Sequence, residues 1–324
     1  MSNKKLKIIF MGTPEFAVAS LDILVKNNFN IVAVITSPDK PSGRGQKIQM
    51  SAVKEYALNH QLKILQPTNL KDEQFINQLK ELNGDLQLVV AFRMLPEAVW
   101  NMPLMGTFNL HASLLPKYRG AAPINWCIIN GDKESGVTTF KLTHQIDTGN
   151  ILLQEKVMVN ETMTAGELHD VLMNVGAELI LKTVKTIDDN AYEKSEINFI
   201  KQDDSLATHA PKIFRETCKI NWNQKAKKIY DLIRGLSPYP TAYTEFIDTN
   251  GITQTLKIYN TIVLEQKNDE ALCGALITDN RTYIHVKCSD GILQINELQL
   301  QGKKRLSVKE FLNGNKFSED IVFK

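Results

Sequence analysis

Short apolar runs alternating with amphipathic segments constrain this chain more than any other feature. Leu6–Gly12, Ile31–Thr36, Lys63–Leu65 and Leu86–Phe92 read as buried strands, and the stretches near Ser51–Asn59 and Asp72–Leu82 carry helical spacing. Such alternation predicts βαβ units, hence an α/β, Rossmann-like, doubly wound sheet. The first strand runs into Thr13-Pro14-Glu15, where Thr13 is the predicted N-cap and Pro14 the first helical residue. No GxGxxG follows, so a dinucleotide cofactor is not expected.

The polar chemistry gathers further on. In the predicted strand Gly106–His111, side chains alternate, so Asn109 and His111 leave the same face about 7 Å apart. The strand breaks into Ser113-Leu114-Leu115-Pro116 and the basic turn Lys117-Tyr118-Arg119-Gly120, and loops at carboxyl ends of strands are where open α/β sheets bind ligands. Asp147 sits on a second turn, Gln145–Asn150, between the apolar runs Val137–Phe140 and Ile151–Leu153. Brought together, these groups supply a carbonyl-polarising amide, an imidazole and a carboxylate. Read singly, Asn-x-His in a strand is a satisfied polar pair and Asp-Thr-Gly is a common turn.

The run HASLLPKYRGAAPI after FNL, followed by IDTGNIL, resembles the folate-dependent formyltransferase family. The resemblance extends from the first strand into the C-terminal part and is closest to members that act on charged initiator tRNA. It implies transfer of the formyl group of 10-formyltetrahydrofolate to the α-amine of methionine carried by initiator tRNA. Asn109, His111 and Asp147 fall on the catalytic positions, with Asn109 and His111 as donors to the formyl oxygen and Asp147 as proton relay. Ser113, Leu114, Leu115 and Pro116 fall on the folate-contacting segment. The turn holding Arg93, Met94 and Leu95 falls on the loop that grips the pterin through its backbone. Many relatives have glycine where this chain has Arg93, so no side-chain role carries over there. The loop Ser37–Lys47 matches an insertion that approaches the tRNA acceptor end, with Arg44 and Lys47 as its candidate contacts. Its two prolines and two glycines predict no regular structure. No metal is implied.

A capping box, Thr164-Ala165-Gly166-Glu167, opens a long helix with an apolar stripe from Leu168 to Leu179. Trp126 is expected in the core, and His144 on an exposed loop. Residues 190–204 read as a linker with little to bury, dividing a catalytic domain, 1–189, from a C-terminal domain, 205–324. In the latter, a helix ending at Gly235 is predicted to turn Ala226, Ile229, Tyr230 and Ile233 inward and Arg234 outward. Five short strands then suggest a small OB-type β-barrel. Tyr239 and Tyr243 are expected to pack.

Charge separates the parts. Residues 205–324 hold 17 Lys and Arg against 13 Asp and Glu, while the remainder holds 21 against 23. A basic barrel contacting tRNA through Lys303, Lys304 and Arg305 fits both the excess and the resemblance. The four cysteines form no CxxC, and no apolar run nears the roughly 20 residues of a membrane span. A cytoplasmic monomer without membrane contact is expected. A glycinamide ribonucleotide formyltransferase would be shorter and lack the loop and barrel; a sugar-amine formyltransferase would not call for the cationic loop. A non-catalytic RNA-binding protein would tolerate loss of Asn109, His111 or Asp147.

Overall fold

A computed structural model describes residues 6–42, 47–193, 197–264, 272–318 and 321–324. Two compact units emerge: Met1–Gly120, Ser135–Val157 and His169–His209 form the first, and Ala121–Glu134, Met158–Leu168 and Ala210–Lys324 the second.

In the first unit the elements are, in chain order, β1 (Lys7–Gly12), α1 (Glu15–Lys26), β2 (Asn30–Ile35), β3 (Lys40–Ser42), β4 (Lys47–Gln49), α2 (Ala52–Asn59), β5 (Ile64–Leu65), α3 (Glu73–Glu81), β6 (Leu86–Val90), α4 (Glu97–Trp100), β7 (Thr107–His111) and the two-residue β8 (Arg119–Gly120). Helix α5 (Pro123–Ile129) follows, then β9 (Glu134–Lys141), β10 (Ile151–Met158) and α6 (Ala165–Glu193). The main sheet runs β10-β9-β7-β6-β1-β2-β5. Its centre is parallel and β9 joins β7 antiparallel. Period-two alternation explains the double-sided burial. Ile9 and Met11 join a core with Phe75, Leu79 and Val99, while Ile8 and Phe10 leave by the opposite face and are equally sealed. Helix α1 can lie close because Gly12 has no Cβ; one there would stand 2.6 Å from that of Ala17.

Two local expectations need correction. Pro14 is extended (φ −79°, ψ 175°) and is itself the N-cap of α1, with no side-chain cap bond from Thr13. The loop after β2 is not irregular throughout: β3 and β4 pair antiparallel, with Pro41 opposite Ile48. A two-stranded ribbon accepts proline because a strand with a free edge need not use every N–H.

The second unit contains α5, and after the short β11 (His209–Ala210) come α7 (Ala226–Gly235), β12 (Ala242–Ile247), β13 (Thr253–Leu264), β14 (Leu276–Thr278), β15 (Ile284–Lys287), β16 (Ile292–Leu300), β17 (Leu306–Ser307) and α8 (Val308–Gly314). The sheet order is β12-β13-β16-β15-β14 with β17 on β16, a curled antiparallel half-barrel that matches the small-barrel expectation. Its apolar face meets Ile229 and Ile233 of α7 and Phe311 of α8 in one core. A full capping box, Ser307 with Glu310, starts α8.

Three side chains in this unit depart from expectation. Arg234 is 5% exposed rather than outward, because its Nε donates to the buried carboxylate of Asp231 at 2.7 Å and its Nη1 to the Met163 carbonyl at 2.8 Å. Tyr239 is 83% exposed, so it does not pack. Trp126 is half-buried, its indole N–H donating to the Pro211 carbonyl at 2.8 Å.

Candidate active site

Strand β7 sorts its residues as its alternation requires. Phe108 and Leu110 enter the core, and Asn109 and His111 take the other face. His111 is 7% exposed, and its Nε2 lies 2.8 Å from the carbonyl oxygen of Tyr118. A carbonyl only accepts, so Nε2 carries a proton and donates. The tautomer is thereby fixed, and Nδ1 is left facing Oδ2 of Asp147 at 3.8 Å. Tyr118 presents that carbonyl from a left-handed backbone, φ +61°, while its N–H donates to Thr208 Oγ1 at 2.8 Å.

Asp147 is 9% exposed and also left-handed, φ +56°, a conformation that aspartate accepts more readily than most residues. Its Oδ2 accepts the Gly120 backbone N–H at 2.8 Å. The carboxylate is thus aimed from two sides: by its own turn and by a donor from β8. The turn is closed by Gly149, where a Cβ would sit 1.7 Å from the Lys141 carbonyl oxygen. Asn109 is half-buried, and among the described residues its carboxamide has no hydrogen-bond partner. It is free to donate to a ligand.

The Ser113–Pro116 segment is held by a hydroxyl hub. Thr138 Oγ1 donates to the Ser113 carbonyl at 2.6 Å and accepts the Leu115 N–H at 3.2 Å and Gln154 Nε2 at 2.9 Å. Gln154 also donates to the Leu115 carbonyl at 2.8 Å. Ser113 is 1% exposed with its hydroxyl spent on the Lys117 carbonyl, and Leu115 is buried with Phe140 and Ile151. Leu114 lies over Gly136, where a Cβ would stand 2.5 Å from Leu114 Cδ2. Ser113 and Leu115 therefore give the segment its shape, while Leu114 and Pro116 are half-buried.

A cleft of about 610 Å³ opens at the carboxyl ends of β1, β2 and β6, with Thr13, Ser37, Lys40, Thr68, Ala91 and Arg93 among its walls; Asn109, His111 and Asp147 are not. Its floor turns at Ala91, φ +47°. The Arg93 guanidinium donates to the Thr68 carbonyl at 2.9 Å and to that of Pro67, and lies over the Phe92 ring. Burial lowers its pKa. Arg93 thus fastens two loops where a glycine would leave them free. Met94 is 74% exposed beside it, and Leu95 is in the core. The rim is braced by Asp39, which accepts from Lys54 at 2.5 Å and from Gln66 at 2.8 Å; these bonds hold its carboxyl below the usual carboxylate range.

Arg44 lies outside the described residues, and of Lys47 only the backbone, in β4, is described. Lys303 and Lys304 are exposed in the turn between β16 and β17 without an ion pair among the described residues. Arg305 differs: it pairs with Glu297 and covers the Tyr259 ring at 4.3 Å. His144 is 70% exposed and meets Glu97 at 3.4 Å. Two contributors had no mark in the sequence: Thr138, one of many strand threonines, and Gln202, inside the presumed linker.

The chain has known relatives. A family model described as formyl transferase matches residues 4–184, and one described as formyl transferase, C-terminal domain, matches 212–316. The methionyl-tRNA formyltransferase of Bacteroides fragilis is 49% identical over 328 residues, covering 100% of this chain and 99% of its own. That of Parabacteroides distasonis is 52% identical over 317 residues, covering 98% of each. Among solved structures, a sugar 3N-formyl transferase crystallised with dTDP and 5-N-formyl-THF superposes with a TM-score of 0.65 at 24% identity, over 93% of this chain and 100% of its own; at that identity the likeness concerns the fold. With matches spanning both parts of the chain, this protein belongs to the formyl transferase family.

Proposed function

We propose that this enzyme transfers the formyl group of 10-formyltetrahydrofolate to the α-amine of methionine on initiator tRNA, giving N-formylmethionyl-tRNA. One observation carries the chemistry: His111, locked at Nε2 by the Tyr118 carbonyl, presents Nδ1 beside the Asp147 carboxylate, with an unpartnered Asn109 carboxamide on the same strand face. The substrate follows from identity near one half, over the full length, to methionyl-tRNA formyltransferases.

The folate supplies the formyl carbon and the nitrogen it leaves. The residues present fit such a donor: the turn Arg93-Met94-Leu95 offers backbone and an exposed apolar side chain for a flat ring, and Ser113-Leu114-Leu115-Pro116 a prebuilt wall. Asn109 donates to the formyl oxygen as negative charge builds there; a donor so placed is worth roughly 3 kcal/mol. Because Nε2 is committed to Tyr118, Nδ1 is the His111 atom left to donate to that oxygen, and the Asp147 carboxylate faces the same atom at 3.8 Å. When the amine bonds to the formyl carbon and the carbon–nitrogen bond to folate breaks, Asp147 takes the amine proton and passes it, directly or through water, to the departing nitrogen. Charge and atoms balance without a covalent enzyme intermediate.

The domain assignment is 1–189 catalytic, 190–204 linker and 205–324 tRNA-binding; the spans of the two family models support it, although the linker's Gln202 is buried within the first compact unit. Arg44 and Lys47, and separately Lys303, Lys304 and Arg305, are the proposed tRNA contacts. The enzyme works as a monomer in the cytoplasm; its four cysteines form no disulfide among the described residues. The test is transfer of labelled formyl from 10-formyltetrahydrofolate to methionyl-tRNA, beside glycinamide ribonucleotide and a UDP-amino sugar, with His111→Ala as blank. Turnover on charged tRNA alone, absent in the blank, is expected. Formylation of only a small amine would overturn the substrate while leaving the centre.

A further inference from the structure

Gln202 is 6% exposed in a stretch whose sequence offers nothing to bury. Its Nε2 donates to the carbonyl of Asp147 and to that of Gly149, each at 2.8 Å, so one amide brackets the turn that carries the carboxylate. Its Oε1 accepts from Arg119, at 3.1 Å from Nε and 2.7 Å from Nη2, and the same Nη2 reaches the exposed Asp204 at 2.7 Å. Every hydrogen-bonding group of the Gln202 amide is therefore spent on this turn or on Arg119. Arg119 immediately precedes Gly120, whose N–H grips Asp147 Oδ2. The closed circuit runs from the carboxylate through Gly120 and Arg119 to Gln202 and back to the Asp147 backbone.

Aspartate tolerates the left-handed backbone better than most residues, but at a cost that surrounding hydrogen bonds must offset. We infer that Gln202 is a positioning residue for catalysis: it holds the Asp147 turn in its left-handed form and ties it to the Arg119–Gly120 segment, so that the carboxylate stays beside His111. Neither an acidic nor an apolar side chain suits the place. Glutamate would set carboxylate oxygens against two carbonyls, and leucine would leave both carbonyls without this donor and Arg119 with only the exposed Asp204. The inference rests on the proposed relay role of Asp147, but its geometric part does not.

The test therefore has two readouts. In Gln202→Ala, hydrogen exchange of the Gly120 amide, followed by NMR, should accelerate at least tenfold relative to amides of β1. Unchanged protection would overturn the inference whatever the enzyme's substrate. In the formyl-transfer assay, Gln202→Ala should lose 10- to 100-fold in kcat with KM for the folate within threefold. Placed on Asp147→Asn, the same change should cost less than twofold more, since Gln202 would act through a group already removed. A full additive loss would make Gln202 merely structural and sink the positioning role. Asp204→Ala, which removes only the exposed partner of Arg119, should stay within twofold in both readouts. If the parent enzyme formylates no charged tRNA while Gly120 still loses protection in Gln202→Ala, the substrate reading falls and the clamp stands.

Discussion

At the scale of single residues, the site separates geometry from charge. The Asp147→Asn change keeps an oxygen to accept the Gly120 N–H but removes the proposed proton acceptor. Turnover should fall by about 100-fold or more, with folate affinity measured by fluorescence titration unchanged. Activity above a tenth of the parent's would remove Asp147 as relay. Gly149 is a position of space rather than charge. Alanine there drives a methyl into the Lys141 carbonyl, so the turn must open and the bond from Lys141 N–H to the Asn150 carbonyl, now 3.0 Å, must go. Gly149→Ala should lose roughly 3 kcal/mol in urea melts, the range of overpacked and strained backbone sites. A melt matching the parent's would show that the turn can relax. Asn109, His111 and Asp147 were legible in the sequence because strand alternation alone sets the first two on one face and a glycine-bounded turn offers the third. Gln202 was not, since its partners lie 53 and 55 residues away and no local period marks a residue that folds back so far.

Among elements, β7, β9 and the loop between them behave as one part because of Thr138. Replacing its hydroxyl in Thr138→Val keeps the shape but strands the Leu115 N–H and the Ser113 carbonyl, both buried. Each unsatisfied group costs about 1–3 kcal/mol. Calorimetry should register a loss of roughly 3 kcal/mol, and KM for the folate should rise, as the loop proposed to wall its site loosens; an unchanged KM would detach the loop from folate binding. The main-sheet strands of the first unit and the five strands β12 to β16 of the second were readable because each combines period two or a continuous apolar run with clear turn residues, whereas the two-residue β8, β11 and β17 are too short to show either. Three further features were not, each for a physical reason. The β3–β4 ribbon hid behind prolines and glycines, which exclude a central strand but not a two-stranded one. Arg234 sits on the polar side of α7 by spacing, yet a buried Asp231, also bound by Lys227 at 2.6 Å, draws it inward. Helix α8, opened by the Ser307–Glu310 capping box, is only 7 residues long, too short for its apolar spacing to stand out as a helical period.

For the molecule as a whole, protonation and charge set the working window. The Cys288 thiol, fully buried, is pushed up to about 12 from an ordinary 9.0 chiefly by burial. A folded-state pKa above the unfolded one means that stability is complete below pH 9 and declines as pH rises towards 12. By pH 10 the decline should be about 1 kcal/mol in urea melts, and Cys288→Ala should flatten it. The cationic surface has a different signature. Lys303 and Lys304 are free of ion pairs among the described residues, whereas Arg305 is already neutralised by Glu297 and laid over Tyr259. Phosphate contact by Arg305 would first have to break that pair, so its net gain is small. If the turn meets tRNA backbone, the double change Lys303→Ala with Lys304→Ala should reduce the slope of log affinity against log salt by about 1.4 to 1.8, the release of two counterions. Arg305→Ala should move it by less than about half a counterion on the same scale. Folate KM should not respond to either. An Arg305 effect equal to that of a lysine would mean that the Glu297 pair opens on binding, and a flat slope in the double variant would move the contact elsewhere on the basic C-terminal part of the chain.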